Sequence, residues 1–403
     1  MIQQYKGIAP KGDILLIQKL CEKLRGRCIL NINSTRKGGG VAEILQRMTP
    51  LLKGLDIDAR WEVIEGDDRF FDITKKIHNT LQGNMDMITE DMWDHHHAVN
   101  EANSRKIDLD ADFVLIHDPQ PIPLIEYRKR GFYVWRCHID VSNPLPDIWQ
   151  RLERYVRSYD CVIFSVSKFS KSLPVDEFII PPAIDPLSDK NIELTEEEVK
   201  RTMDKLNVPM DKPILLQVSR FDVFKDPIGV INAYRRVKKY NDCRLVLAGS
   251  LATDDPEGTR VLNEVRDYAG NDPDIHILLL PPSAAREINA LQRAATIVLQ
   301  KSLKEGFGLT VSEAMWKEKP VVGGAVGGIP YQITHGVTGF LVYSVDGAAF
   351  RIRQLLNNPG MRKRIGQKAK EYVRRNFLIT RQIRDYLSVW YFLENKGQKA
   401  IEL

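Results

Sequence analysis

The sequence predicts two α/β domains, each a parallel sheet covered by helices on both faces. Three observations carry this. The chain has 403 residues, which is too long for one ordinary core and suits two domains of about 200. Short β-branched runs alternate with amphipathic helical patterns along its whole length. A proline-rich stretch, Ile180-Pro-Pro-Ala-Ile-Asp-Pro-Leu-Ser-Asp189, breaks that alternation and can continue neither a helix nor a strand.

The strand runs of the first half are Cys28–Asn31, Phe113–His117, Tyr133–Cys137, Cys161–Ser165 and Phe178–Ile180. Those of the second half are Ile214–Val218, Leu245–Ala248, Ile275–Leu279, Ile297–Gln300, Pro320–Val322 and Gly339–Val342. Helical patterns lie between them. Val41–Leu52, for example, places apolar residues at 41, 44, 45, 48, 51 and 52 on one face. The break puts a hinge near Ala183–Lys190. An acidic helix over Thr195–Asn207 follows, with Thr195 as N-cap and Glu198 completing a capping box. The last residues, Asn376–Leu403, read as a helical tail carrying Tyr386, Leu387, Val389, Trp390, Tyr391 and Leu393.

Composition narrows the class. A net charge of +5 with both signs interspersed does not argue for nucleic-acid binding, and fits a local basic cleft for phosphates as well. The five cysteines are scattered and form no CxxC pair, as in a reduced cytoplasmic protein without disulfides or a zinc site. No stretch approaches 18 apolar residues and the N-terminus lacks an apolar signal region, so no membrane span is expected. In Asp94-His-His-His-Ala98, adjacent histidines cannot all face one metal on a regular helix or strand.

The most informative segment is Lys304-Glu-Gly-Phe-Gly-Leu-Thr-Val-Ser-Glu-Ala-Met-Trp316. Glu305 and Glu313 flank a Gly-Phe-Gly turn, with Glu313 expected where a helix begins. Unpaired N–H groups at such a turn can cradle an anion. A first-turn carboxylate can accept from two neighbouring hydroxyls, such as those of a ribose. The bland alternative is a helix-start glutamate and a solvated loop charge. In Ser219-Arg-Phe-Asp-Val-Phe-Lys225, Arg220 and Lys225 follow a strand and can converge on one anion, although a surface charge pair would look the same. Asn33-Ser-Thr-Arg-Lys-Gly-Gly-Gly40 places glycines before a helix, either for close approach of a ligand or as a flexible turn. Gly323-Gly-Ala-Val-Gly-Gly-Ile-Pro330 serves either approach to a nucleotide or packing.

Glu305, seven residues, then Glu313, followed by Pro320-Val-Val-Gly-Gly-Ala-Val-Gly-Gly-Ile-Pro330, resembles the E-x7-E signature of the retaining family-4 glycosyltransferases. Arg220 and Lys225 are similar to that family's R-x4-K pair. The resemblance implies the GT-B fold, two Rossmann-like domains whose parallel sheets face each other across a deep cleft. It divides the chain into an acceptor-binding domain over 1–185, a nucleotide-sugar-binding domain over 186–375, and a C-terminal helix over 376–403. That helix either crosses back onto the first domain, as in the family, or caps the second. The catalytic residues implied are Arg220, Lys225, Glu305 and His138, in Cys137-His-Ile-Asp140. His138 resembles the residue whose imidazole contacts the donor hexose, although a lone histidine here can be structural. The donor side is implied at Glu313, Gly306, Phe307, Gly308, Leu309, Gly39 and Gly40. The acceptor side is implied at Asp140 and at Asp118 and Gln120, of His117-Asp-Pro-Gln-Pro121, where a plain turn is the alternative.

Val114-Leu-Ile-His-Asp-Pro-Gln-Pro and Trp135-Arg-Cys-His-Ile-Asp-Val-Ser-Asn-Pro look like the synthases that join glucose from a nucleoside-diphosphate glucose to free glucose as α,α-trehalose. The partners implied are a nucleotide sugar (UDP- or ADP-glucose) and a small sugar acceptor, with no nucleic acid or membrane and a homodimer as the assembly. No Asp-x-Asp metal motif of the sugar-nucleotide type stands out. No cofactor is therefore required, though magnesium can pair with a diphosphate. The rivals are a trehalose phosphorylase on the same scaffold, a transferase to another acceptor, and a silent sugar-nucleotide sensor.

Overall fold

A computed structural model describes residues 2–36, 39–250 and 256–398. It separates into two compact units, one formed by residues up to Ala183 with those from Ile379 onward, the other by Ile184–Leu378. Lys37 and Gly38 of the first glycine-rich loop, and the last five residues of the C-terminal tail, lie outside the described residues.

The first unit holds β1 (Cys28–Asn33), β2 (Asp58–Val63), β3 (Phe113–His117), β4 (Phe132–Cys137), β5 (Cys161–Phe164) and β6 (Asp176–Ile179). They form one sheet in the order β2-β1-β3-β4-β5-β6, with every pairing parallel. Its helices are α1 (Lys11–Lys23), α2 (Gly39–Lys53), α3 (Asp68–Leu81), α4 (Glu90–Lys106) and α5 (Pro146–Val156). β3 is buried at all its positions, as expected for a central strand covered on both faces. Each of its fully buried aliphatic side chains contributes about 1.5–3 kcal/mol.

The second unit holds β7 (Ile214–Val218), β8 (Arg244–Gly249), β9 (Ile275–Leu279), β10 (Ile297–Gln300), β11 (Val321–Gly324) and β12 (Phe340–Val342). Their order is β12-β11-β10-β7-β8-β9, again all parallel. Its helices are α6 (Glu196–Lys205), α7 (Pro227–Lys238), α8 (Pro256–Ala269), α9 (Ala285–Ala294), α10 (Leu309–Trp316), α11 (Ile329–Gln332), α12 (Val345–Leu356) and α13 (Pro359–Asn376). Helix α6 starts with the capping box of Thr195 and Glu198.

The last helix, α14 (Ile379–Glu394), belongs to the first unit and packs along α1. It buries Tyr386, Leu387, Val389, Trp390 and Leu393. Trp390 stacks on Tyr386 and on Phe113 of β3. Arg384 ties the same helix to Asp13 of α1 at 2.6 Å.

Both strand orders reverse direction once. In the first unit the chain runs from β1 out to β2, then returns to the other side of β1 as β3. In the second it runs from β7 through β8 to β9, then returns beside β7 as β10. At such switch points the loops after adjacent strands diverge and leave a crevice at the carboxyl ends, where open α/β sheets bind ligands. These two places carry the candidate residues.

Candidate active site

In the second unit, the loop after β7 carries Arg220 and Lys225, and the loop after β10 carries Glu305. The Lys225 ammonium donates to Glu305 Oε2 at 2.7 Å. The same oxygen accepts from Gln300 Nε2 at 3.2 Å and from Ser302 Oγ at 3.1 Å. Lys225 is itself held by Gln217 of β7, whose side-chain amide donates to the Lys225 carbonyl at 2.8 Å. The next residue, Asp226, adopts a left-handed conformation, caps α7 through Gly229 N–H and pairs with buried Lys301. Arg220 goes elsewhere. It is exposed and donates to Asp222 of its own loop at 3.0 Å. On this loop the Arg220 guanidinium meets Asp222 and the Lys225 ammonium meets Glu305.

Helix α10 begins at Leu309, directly after Gly308, whose φ of 81° supplies the left-handed turn. This corrects the placement of Glu313, which lies on the second turn of the helix and not the first. Its buried carboxylate accepts from Gln292 of α9 at 3.2 Å and lies 3.7 Å from the Lys190 ammonium. Of the turn residues, Phe307 is buried and packs edge-on against Phe377, so its side chain serves the core. The Gly306 carbonyl accepts from Gly328 N–H at 3.0 Å, and Gln332 donates to the Phe307 and Gly308 carbonyls. The 323–330 glycines are thus packing residues. A Cβ on Gly323 would strike Ile329, and one on Gly327 would strike the Glu305 carbonyl. They brace the loop that presents Glu305.

In the first unit, a cavity of about 150 Å³ lies at the β1/β3 switch point. Gly39, Gly40 and Asp118 line it together with Asn33, Ser34, Thr35 and His117. Asp118 has φ 65°, a conformation Asp tolerates better than most residues. Its Oδ1 accepts from His138 N–H at 2.7 Å, and burial pushes its carboxyl up to about 6. His138 ends β4's carboxyl side, and its Nε2 lies 2.9 Å from His117 Nδ1. Burial, with help from fully buried Arg136, lowers both imidazoles well below the usual histidine range, His117 to about 3. Both rings are neutral at neutral pH. Asp140 accepts from the N–H and hydroxyl of Ser142. The Gln120 carbonyl accepts from His96 Nε2–H and Asn100, both on α4, each at 3.0 Å.

The three consecutive histidines lie on α4 and take separate partners: His95 goes to Asp67, His96 to Gln120 and His97 to Glu126. The chain does contain Asp108-Leu-Asp110-Ala-Asp112, but those carboxylates pair with Arg60, Lys129 and Arg130. Among the described residues, no group of three or more His, Cys, Asp or Glu side chains is placed to hold a metal. No helix among them is long and apolar enough to cross a membrane.

Residues 31–171 match the family described as "Trehalose synthase, N-terminal domain", and residues 198–372 match "Glycosyl transferases group 1". A trehalose synthase of Pyrococcus horikoshii is 47% identical over 395 residues, covering 96% of this chain and 95% of its own. The chain belongs to the trehalose synthase family. A trehalose phosphorylase of Grifola frondosa is 30% identical over 86% of this chain, but only 54% of its own length is matched. The structure of an α,α-trehalose-phosphate synthase (UDP-forming) from Burkholderia xenovorans superposes with a TM-score of 0.73 at 14% identity, covering 90% of this chain and 99% of that one. The fold is GT-B-like, with two Rossmann-like parallel-sheet units, and the family places the chain among glycosyltransferase enzymes.

Gln300, Ser302, Gln292, Lys190 and Lys317 complete the surroundings of the two glutamates in this trehalose synthase family member, yet none stands out in the linear sequence. Lys317, at the end of α10, donates to Asn191 Oδ1 at 2.9 Å and to the Glu313 carbonyl at 3.1 Å. Burial pushes its amine down to about 7. Between that value and the ordinary lysine range near 10.4, the unfolded chain holds a proton that the folded one does not. Lys317 therefore costs most stability below pH 7, and stability recovers as pH rises towards 10, by at most ~1.4 kcal/mol per pH unit. Denaturant unfolding of the wild type and Lys317→Met at pH 7, 8 and 9 should show this rise in the wild type alone. Parallel pH curves would mean that Lys317 stays charged when folded.

Proposed function

We propose that the protein transfers glucose from a nucleoside-diphosphate glucose to free glucose, forming α,α-trehalose with retention at the anomeric carbon. The observation that carries this reading is the pairing of partly buried Lys225 with buried Glu305 at the β7/β10 switch point, beside the Gly306–Gly308 turn. A departing diphosphate gains negative charge as the glycosidic bond breaks, and a fixed ammonium in a poorly solvated site stabilises it. Arg220 on the same loop supplies a second cation, released from Asp222 when a phosphate competes for it. Glu305 is already engaged by three donors, which suits a carboxylate that orients sugar hydroxyls better than one that attacks carbon as in a double-displacement glycosidase. The acceptor is then deprotonated by the leaving phosphate oxygen, on the face the diphosphate leaves. Glu313 takes the ribose hydroxyls and the Gly306–Leu309 backbone takes the donor phosphates. His138 serves the donor hexose, Gly39 and Gly40 the donor, and Asp118, Gln120 and Asp140 the acceptor. The first unit is thereby the acceptor domain and the second the nucleotide-sugar domain. A cytoplasmic location fits five cysteines that are all unpaired, and a homodimer is the assembly we assign.

The test is incubation with UDP- or ADP-glucose and free glucose, with products separated by chromatography and the linkage read by anomeric NMR. A non-reducing α,α-disaccharide and free nucleoside diphosphate are expected. An intact donor, with glucose 1-phosphate formed from trehalose and phosphate, would instead make the protein a phosphorylase, the reading favoured by the Grifola frondosa relative. Glu313→Ala separates the two further. Losing hydrogen bonds from a buried carboxylate to a ribose should weaken nucleoside-diphosphate binding about 10- to 100-fold. Calorimetric titration should show glucose 1-phosphate binding unchanged. Equal weakening of both would mean that Glu313 holds the loop and not the ribose.

A further inference from the structure

His138 is bonded to a second histidine, and that histidine is bonded to an asparagine buried in the sheet. His117 Nδ1 lies 2.9 Å from His138 Nε2, and His117 Nε2 lies 3.1 Å from Asn31 Oδ1. Asn31 and His117 are both buried, while His138 is partly exposed. The two imidazole planes lie within 20° of each other. A neutral imidazole carries one N–H, so each ring donates through one nitrogen and accepts through the other. An amide oxygen can only accept. With the Asn31 amide in this orientation, His117 carries its proton on Nε2, which leaves Nδ1 as an acceptor. His138 must then carry its proton on Nε2 in order to donate to it.

We propose that Asn31 and His117 are positioning residues that lock His138 as the Nε2–H tautomer, so that its Nδ1 offers a lone pair to a hydroxyl of the bound sugar. The identity of the ligand rests on the function proposed above; the direction of the relay does not. The other end of His138 is fixed as well, since Asp118 Oδ1 accepts its backbone N–H and Trp135 Nε1 donates to the Asp118 carbonyl at 3.0 Å. With its backbone pinned and Nε2 bonded, His138 presents one nitrogen in one protonation state, and a wrong tautomer disables a site without moving an atom. Reversing the Asn31 amide would reverse the whole relay and turn His138 Nδ1 into a donor, so the proposal makes a sharp statement about where the protons sit.

The tautomers can be read directly in the full, ligand-free chain by two-bond proton–nitrogen NMR on protein labelled with ¹⁵N at histidine. His117→Gln and His138→Asn would assign the signals. Both His117 and His138 are expected to be protonated at Nε2, and Asn31→Leu is expected to leave His138 as a mixture. In the trehalose-forming assay, Asn31→Leu and His117→Phe should each lower kcat/KM about 10- to 100-fold. His117→Gln, which keeps an acceptor and a donor on one side chain, should recover most of that loss. A proton on His138 Nδ1 in the wild type would overturn the proposal. So would an unchanged His138 tautomer in Asn31→Leu, or a His117→Gln variant as impaired as His117→Phe. If no trehalose is formed by the wild type, the NMR result still decides the relay by itself.

Discussion

Lys225→Met is expected to lower kcat by about 10²- to 10³-fold, the usual loss when one fixed donor to a developing anion is removed. In the structure the Lys225 ammonium pairs with Glu305 at 2.7 Å, and its side chain is 16% exposed. A largely desolvated ammonium acts on nearby charge far more strongly than one in water. In the proposed reaction its effect should grow between ground state and transition state, because a departing diphosphate would gain charge as it leaves. The loss should therefore fall on kcat more than on KM. Removing the cation also leaves the buried Glu305 carboxylate on the neutral donors Gln300 and Ser302, which can cost about 3–5 kcal/mol of stability. The double variant Lys225→Met with Glu305→Gln separates the two effects. It should recover stability and remain slow. A tenfold rise in KM with kcat unchanged would mean that Lys225 binds the donor without assisting departure. Arg220→Ala is not a substitute experiment, because Arg220 is exposed and bonded to Asp222 in this structure.

The ends of the strands were legible in the sequence, and the shells around the glutamates were not. Phe113–His117, Ile214–Val218 and Ile297–Gln300 are runs that fold where periodicity placed them, since a buried parallel strand is largely apolar on both faces. The strand Asp58–Val63 escaped because Asp58, Arg60 and Glu62 alternate with Ala59, Trp61 and Val63, and it lies at the sheet edge, where one side meets water. Glu305, Lys225 and His138 were legible because they follow strand ends in recognisable runs. Gln300, Ser302, Gln292 and His117 were not, because what matters is whom they touch, and His117 meets Asn31 from 86 residues away. One signal was available. Asn31, His117, Gln217 and Gln300 are polar residues inside otherwise apolar strands, and all are buried. Such residues need partners, and here each has found one beside the site. Glu313 lies deeper in its helix than the Gly-Phe-Gly turn suggests, because Gly308 is the residue that opens the helix. The five residues from Leu309 onward carry Glu313 to the second turn.

Gly327→Ala should be the most damaging substitution outside the charged residues. Gly327 has φ 52°, and a Cβ there would lie 1.5 Å from the Glu305 carbonyl oxygen. That oxygen is backbone, so no rotamer change relieves the overlap, and the loop carrying Glu305 must move by more than an ångström. Such a shift pulls the Glu305 carboxylate from Lys225, Gln300 and Ser302 together. Activity should fall by about 100-fold or more, since catalytic placement tolerates less than an ångström of error. Stability should fall by about 2–4 kcal/mol from overlap and backbone strain combined. Gly336→Ala is the matched control. Its φ is 77°, but a Cβ there meets nothing within 4 Å. It should cost only the left-handed penalty, about 1–2 kcal/mol, and leave kcat unchanged. Unfolding midpoints and kcat for the pair therefore separate strain from collision. If both variants lose the same stability and keep the same kcat, the 323–330 loop is not what holds Glu305 in place. A kcat loss confined to Gly327→Ala would show that the family's glycine-rich run acts through packing, by seating the carboxylate that faces Lys225.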